Sequence, residues 1–324
     1  MTRQELIDGL NNVLNQPDQL STVVFAVMKE TGSIKMLNID NEEIIHIQNM
    51  FIESVKNKII DVEEQTIIKV SEADNRANTV FEYDLDLPEG LGYYNSVLND
   101  QTEHYSFQND DLGKIDALII KIGNEEHQIK LFKKLSNVEV FGRGGFLLWK
   151  SGNKLERFND KVLRLTPNFN AILVDDTYVF LDLKLLESSH GFHDVIVREA
   201  NISLQMVEAL GLLDTTQGII DLLGTTSFAR KVVKIRYSPV IVRGIPNAQI
   251  IAFTRTHPAL LNKMKYSEDG EQIILHTKIS KQLFIKMLDD AYLTSELTAQ
   301  YYESSAKDIV EGELEEQAII AIEN

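Results

Sequence analysis

The chain has 324 residues, of which 44% are hydrophobic and 25% are charged, and its formal net charge is −17. This balance is typical of a globular protein, and no apolar run approaches the roughly 18 residues that cross a bilayer. The chain contains no cysteine, which excludes disulfide scaffolds, thiolate zinc sites and cysteine nucleophiles. Its polar first residues lack an apolar signal core, so we expect a cytoplasmic location.

The first third of the chain predicts a mixture of strands and helices. Asp40, followed three residues later by Glu43, predicts a helix start, and apolar residues follow it at helical spacing. Partly alternating apolar runs predict strands on either side of this helix. The predicted strand pairs are VVFAVMK with SIKMLNI, and QTIIKVSE with TVFEYDLD.

The middle third predicts an antiparallel sheet. DALIIKIG is an apolar run of strand length, whereas NEEHQIKLFKKL predicts a short helix that ends in two lysines. Two hairpins are predicted where turn residues separate runs rich in β-forming residues. These hairpins are GFLLWKSGNKLERF and NAILVDDTYVFLDL.

The apolar period becomes helical from about residue 187. A helix is predicted after Asp194, and a second, long helix is predicted after Ser280 with its apolar line continuing to Tyr301. We therefore predict an α+β protein. Residues 1–186 form a mixed, mainly antiparallel sheet region with basic hairpins, and residues 187–324 form a helix-rich region with a cationic segment and an acidic tail.

The charge is distributed unevenly along the chain. Residues 121–165 carry ten basic and five acidic side chains, residues 228–286 carry eleven basic and three acidic ones, and the other 220 residues carry a net charge of −30. Two cationic blocks therefore lie in an acidic frame. Either they form a positive surface, or their cations pair with acidic neighbours in the fold.

Residues 228–265 contain eight Lys or Arg and no acidic residue, which predicts contacts with DNA phosphates that do not read sequence. The alternatives are a basic sheet edge that discourages aggregation, or a patch that docks the acidic tail of another protomer. The predicted phosphate contacts of this segment are Arg230, Lys231, Lys234, Arg236, Arg243 and Arg255.

The other basic block contains the sequence FGRGGF, in which an arginine stands among three glycines. Its backbone amides and arginine predict a second approach to phosphate, and the alternative explanation of the glycines is a mobile entry to a hairpin. The predicted contacts of this block are Lys133, Lys134, Arg143, Lys150 and Arg157.

A metal-dependent nuclease is a weaker alternative. Some nucleases hold a divalent metal at the phosphodiester with one acidic residue and a second acidic residue that stands two positions before a lysine. Asp176, Asp182 and Lys184 follow that order. Aspartates are also common in turns, where they bond to the backbone. We therefore predict no catalytic residue, no bound metal and no cofactor.

Two stretches resemble a known bacterial family. LERFNDKVLRLTPNFNAILVDDTYVFLDLKLLES and FIKMLDDAYLTSELTAQYYESSAK are similar to the middle and the ending of the KwaB family, the soluble component of the two-gene Kiwa anti-phage defence system. The resemblance implies a cytoplasmic effector that binds double-stranded DNA, forms at least a homodimer and acts with the small multi-pass membrane protein KwaA, which recruits it to the inner membrane. A non-enzymatic adaptor without DNA contact is the alternative.

Overall fold

The computed structural model describes residues 1–304, apart from 16–19, 75, 97, 99–100, 125, 137–139, 142–146, 153, 159–161 and 189–190. The helices are α1 (Arg3–Leu14), α2 (Asn41–Val55), α3 (Lys184–Glu187), α4 (Phe192–Ala209), α5 (Gln217–Ile220), α6 (Thr226–Lys234), α7 (Pro239–Val242), α8 (Asn247–Thr256) and α9 (Lys278–Leu288). The first strands are β1 (Ser21–Met28), β2 (Ile34–Met36), β3 (Thr66–Lys69), β4 (Thr79–Glu82), β5 (Ile115–Gly123), β6 (Gln128–Lys134), β7 (Val140–Phe141) and β8 (Leu147–Ser151). The remaining strands are β9 (Lys154–Phe158), β10 (Val162–Leu163), β11 (Ala171–Val174), β12 (Thr177–Phe180), β13 (Lys265–Tyr266), β14 (Ile273–Ile274), β15 (Tyr292–Thr294) and β16 (Tyr301–Glu303).

An eight-stranded sheet organises the molecule, with the strand order β2-β1-β5-β6-β11-β12-β4-β3. Its neighbouring strands pair antiparallel, except β3 and β4, which pair parallel. Strand β5 reads as a nearly continuous apolar run because helices cover both faces of the sheet, so that both sets of alternating side chains are buried.

Each face of the sheet has its own hydrophobic core. Leu118 of β5 packs with Leu10 of α1 and Phe51 of α2, whereas the next residue, Ile119, packs with the carboxy-terminal helices that include α4, α6 and α9. This alternation follows from the two-residue period of a strand. The helices after residue 183 therefore lie on the opposite face of the sheet from α1 and α2.

The α+β class is confirmed, and so are the hairpins predicted by alternation and turn residues. β1 pairs with β2, β8 with β9, and β11 with β12, each antiparallel. Asp175 and Asp176 form the β11–β12 turn with φ angles of 46° and 63°. Aspartate tolerates this left-handed conformation better than most residues, and paired residues of this kind suit a two-residue hairpin.

One predicted helix is wrong, and a second is shorter than predicted. The lysine-rich run expected as a helix is strand β6, in the interior of the sheet between β5 and β11. The helix after Ser280 ends at Leu288, where Asp290 has a φ of 52° and turns the chain into the β15–β16 hairpin. That hairpin leaves Leu297 and Tyr301 exposed instead of extending an apolar helical stripe.

The boundary predicted at residues 186 and 187 stays a prediction. One buried cluster contains Phe25 and Phe180 from the first region and Phe192 and Phe284 from the second. The helix-rich region therefore shares a hydrophobic core with the sheet, and this shared core fixes the position of the cationic segment relative to β5 and β6.

Candidate nucleic-acid interface

Helix α6 carries the first cations of the segment and has one buried side. Phe228, Ala229, Val232 and Val233 pack into the core on the α4 side, so Arg230, Lys231 and Lys234 fall on the remaining surface of the helix. Arg230 and Lys234 are four residues apart and therefore lie on the same face of the helix.

Three of the predicted phosphate contacts are ion-paired with other elements. Their side chains are only 14–20% exposed, and the pairs are Arg230 with Glu187 of α3, Lys234 with Asp289 at the end of α9, and Arg236 with Glu199 of α4. The Arg236–Glu199 contact measures 2.8 Å and the Lys234–Asp289 contact 3.5 Å. A phosphate at any of these cations would have to displace a carboxylate.

The other three predicted contacts of the segment are exposed. Lys231 lies on the outer surface of α6, and Arg243 follows the last residue of α7. The Arg255 guanidinium lies 4.4 Å from the centre of the Tyr266 ring and donates to the Gly270 carbonyl at 3.2 Å. These contacts orient the guanidinium without neutralising its charge, so it keeps its attraction for an anion.

A groove between α6 and α9 brings several cations together. It is lined by Ala73, Asp74, Ser227, Arg230, Lys231, Lys234, Ile285, Lys286, Asp289, Ala291, Glu303 and Ser304. Burial alone would raise the pKa of Asp74, but hydrogen bonds from Arg76 outweigh it and hold that pKa below its usual value. The groove thus combines four cations with three carboxylates, one of which is already engaged by Arg76.

Lys286 belongs to this groove, although the sequence did not single it out. It projects from the last turn of α9 and pairs with Glu303 at 2.6 Å, with 36% and 51% of the two side chains exposed. The sequence signal for Lys286 was its position at the end of the basic block 228–286. Only the packing of α6 on α9 places it in the same groove as Lys231.

The second basic block does not join this groove at β6. Lys133 is 2% exposed, and its ammonium donates to Thr166 Oγ1 at 2.8 Å and to the Asn168 carbonyl at 3.0 Å. It alternates with Phe132, which faces the core shared with α6, so Lys133 points to the opposite face of the sheet. The prediction that Lys133 enlarges a positive surface is therefore withdrawn, because the strand period buries it.

The remaining residues of that block differ in their surroundings. Lys134 pairs with Asp116 of the neighbouring strand β5, and Lys150 of β8 is exposed. Arg157 belongs to β9, opposite Leu148, and Arg143 lies outside the described residues. Among the predicted contacts of this block whose side chains are described, Lys150 is the exposed one.

The residues of the nuclease alternative are not brought together. Asp176 lies in the turn before β12, whereas Asp182 lies beyond the other end of that four-residue strand, which is itself about 13 Å long at 3.3 Å per residue. Asp182 Oδ1 accepts from the backbone amide of Lys184 at 2.9 Å, which is a turn contact at the start of α3. Within the described ranges, no three His, Asp or Glu side chains are clustered as metal ligands.

The fold and this surface define a class of α+β protein with a large, mainly antiparallel sheet and a basic groove among its carboxy-terminal helices. The family model described as Kiwa protein KwaB-like matches residues 112–298, more than half of the chain, and the chain belongs to that family. The predicted family is thereby confirmed. Its members are components of Kiwa anti-phage defence.

A curated relative extends this likeness over nearly the whole chain. The Kiwa protein KwaB of Escherichia coli O55:H7 (strain RM12579 / EPEC) is 27% identical over 315 residues, which cover 95% of this chain and 99% of the relative. No solved structure matches the chain. In the part of the chain that the structure describes, no helix is both long and apolar enough to span a membrane.

Proposed function

We propose that this protein is the DNA-binding effector of a Kiwa anti-phage system and holds duplex DNA by its phosphates at the α6–α9 groove. The observation that carries the proposal is the convergence of Arg230, Lys231, Lys234 and Lys286 from two helices on one groove. Contacts of this kind give binding that is independent of sequence and falls steeply with salt.

Lys231 and Lys286 are the residues we assign to the phosphates. Lys231 is exposed, and no described residue forms an ion pair with it. The Lys286–Glu303 pair is solvent-exposed, and such pairs contribute only about 0–1 kcal/mol, so a phosphate can replace the carboxylate. Exposed Arg243 and Arg255, which line two other pockets, are proposed as further contacts of the cationic segment.

The acidic frame has a role in this proposal. A net charge of −17 repels DNA from most of the molecule, so that binding is confined to the places where cations outnumber carboxylates. We therefore expect one short DNA contact per protomer rather than general adhesion.

The test measures the anisotropy of labelled duplex DNA at several salt concentrations between about 50 and 200 mM. The double variant Lys231→Glu, Lys286→Glu reverses both proposed contacts. The plot of log affinity against log salt should then become less steep by about 2, because each lost phosphate contact removes about 0.9 from its steepness. The matched control, Lys29→Glu with Lys56→Glu, makes the same charge change at exposed lysines of the sheet region. Equal affinities of the two double variants would overturn the assignment.

The adaptor alternative is favoured by the ion pairs of Arg230, Lys234 and Arg236, which give much of the cationic segment a structural role. An adaptor would retain KwaA without any salt-dependent binding of DNA. Co-purification with KwaA in the Lys231→Glu, Lys286→Glu variant separates the two functions. Retention of KwaA with loss of DNA identifies an effector that has separate surfaces for its two partners.

The proposal also includes binding without cleavage, a homodimer and recruitment from the cytoplasm to the inner membrane by KwaA. Incubation of plasmid DNA with Mg²⁺ or Mn²⁺ tests for cleavage, and cleavage that Asp182→Ala abolishes would instead establish the nuclease. Light scattering of the purified chain gives the number of protomers. Fractionation of cells with and without KwaA tests recruitment.

A further inference from the structure

The described chain ends on the rim of the α6–α9 groove. Tyr292 of β15 stands opposite Glu303 of β16, and the Ser304 amide donates to the Ala291 carbonyl at 2.9 Å. Ser304 itself lines the groove, and Glu303 is already seated on Lys286. A backbone hydrogen bond therefore holds Ser304, the last described residue, at the groove that contains these cations.

The residues that follow have the charge opposite to that of the groove cations. Residues 305–324 contain six acidic side chains and one basic one, and four of the acidic residues lie within the run EGELEE. Those four are Glu311, Glu313, Glu315 and Glu316. A carboxylate offers an ammonium or a guanidinium the same kind of partner as a phosphate oxygen does.

The covalent attachment favours contact between this segment and the groove. An extended chain spans about 3.3 Å per residue, so the seven residues from Ser304 to Glu311 reach more than 20 Å. Helix α6, with nine residues, is only about 14 Å long at 1.5 Å per residue. When so short a linker joins a ligand to its site, the effective concentration of the ligand at the site is on the order of millimolar.

We propose that residues 305–324, the acidic tail, dock in the α6–α9 groove of their own chain and compete there with DNA. The glutamates take the positions of phosphates at Lys231 and Lys286, and the attraction weakens with salt as DNA binding does. The competition rests on the proposed function, whereas the docking does not. DNA, which presents many phosphates, displaces the tail where DNA is abundant.

Docking can be measured without DNA because the chain has no cysteine of its own. Gly312→Cys in the tail is paired with Ser227→Cys, an exposed, uncharged position in the groove, or with Ala252→Cys, an exposed position on α8 outside the groove. Under mild oxidation at low salt, we expect the variant with Ser227→Cys to form an intramolecular disulfide about tenfold faster than the variant with Ala252→Cys. Equal rates, or a bond chiefly between two chains, would overturn docking within one chain.

Competition is measured with the full chain in which Glu311, Glu313, Glu315 and Glu316 are changed to Gln. The control changes four exposed glutamates elsewhere, namely Glu53, Glu63, Glu126 and Glu208, to Gln. Both variants gain the same charge, so a tail that merely repels DNA predicts equal affinities. We expect the tail variant to bind duplex DNA about fivefold more tightly than the control at about 50 mM salt.

The outcomes separate the inference from the function on which it rests. If wild type binds DNA and the two glutamine variants have equal affinities, the competition is refuted while the DNA-binding function stands. If no variant binds DNA in a salt-dependent manner, the proposed function fails, and the disulfide rates alone decide whether the tail docks.

Discussion

Replacing Arg236 should reduce the stability of the fold rather than the affinity for DNA. Its Nη1 donates to Glu199 Oε2 at 2.8 Å, and the two side chains are 14% and 16% exposed. The guanidinium also lies 5.0 Å from the centre of the Tyr237 ring. Arg236→Ala therefore leaves the Glu199 carboxylate largely buried without this cation and removes a packed side chain between α4 and the end of α6.

The magnitude lies between two known limits. Removing one partner of a fully buried ion pair costs about 3–5 kcal/mol, whereas an exposed pair contributes about 0–1 kcal/mol. Burial alone would lower the pKa of Arg236, but the hydrogen bond that it donates to Glu199 contributes to a net rise of that pKa, so the guanidinium stays charged. Because both side chains keep some contact with water, we expect Arg236→Ala to lower the free energy of unfolding by about 2 kcal/mol.

The assay is urea denaturation followed by circular dichroism on wild type, Arg236→Ala, Glu199→Gln and the double variant. We expect a coupling energy of about 1 kcal/mol between the two sites, since each single change removes the same contact. Arg243→Ala is the control, because that arginine is exposed and should change stability by less than about 0.5 kcal/mol. Wild-type stability of Arg236→Ala combined with a loss of DNA affinity would refute the structural assignment.

Three further predictions concern the sheet and the carboxy-terminal hairpin. Gly123 has a φ of 154° and a Cβ there would lie 2.3 Å from the His127 carbonyl oxygen, so Gly123→Ala should cost more than about 2 kcal/mol in urea denaturation. Gly92→Ala should lower the free energy of unfolding by no more than about 1 kcal/mol, because no other described residue comes within 4 Å of a Cβ there. Leu118→Ala should lower the free energy of unfolding by about 3–4 kcal/mol, because Leu118 is fully buried. Leu118→Met should lower it by less than about 1.5 kcal/mol. Burial lowers the pKa of His257, so stability is lost as the pH falls through the ordinary histidine range. His257→Phe should therefore reduce the change in melting temperature between about pH 7 and pH 5.

The hairpins could be predicted from the sequence because their signals are local. In β11–β12, apolar strands and the turn residues Asp175 and Asp176 stand side by side in the chain. Strand β6 was not predictable in the same way, because an interior strand buried on both faces loses its alternation. Three lysines around Leu131 and Phe132 then imitate an amphipathic helix, and only the neighbouring strands β5 and β11 decide against it.

The cations of the site could be predicted, but their partners could not. Arg236 and Glu199 are 37 residues apart, and Arg230 and Glu187 are 43 residues apart, so no spacing rule connects them. Helix packing brings each pair together, and the packing depends on apolar residues such as Val232. The acid-free composition of residues 228–265 therefore arises partly because its carboxylates are supplied by α3, α4 and the end of α9.

This division of the cations changes how the DNA hypothesis has to be tested. Reversing Arg230, Lys231, Lys234 and Arg236 together would break three ion pairs that join α6 and the turn after it to neighbouring elements. Loss of DNA binding in such a variant would not separate a lost phosphate contact from a lost fold. Lys231 alone among these four is exposed and outside those pairs, so its reversal isolates the electrostatic contribution. A DNA affinity that follows Lys231 and Lys286, with unchanged urea denaturation, is the result that assigns the groove to DNA.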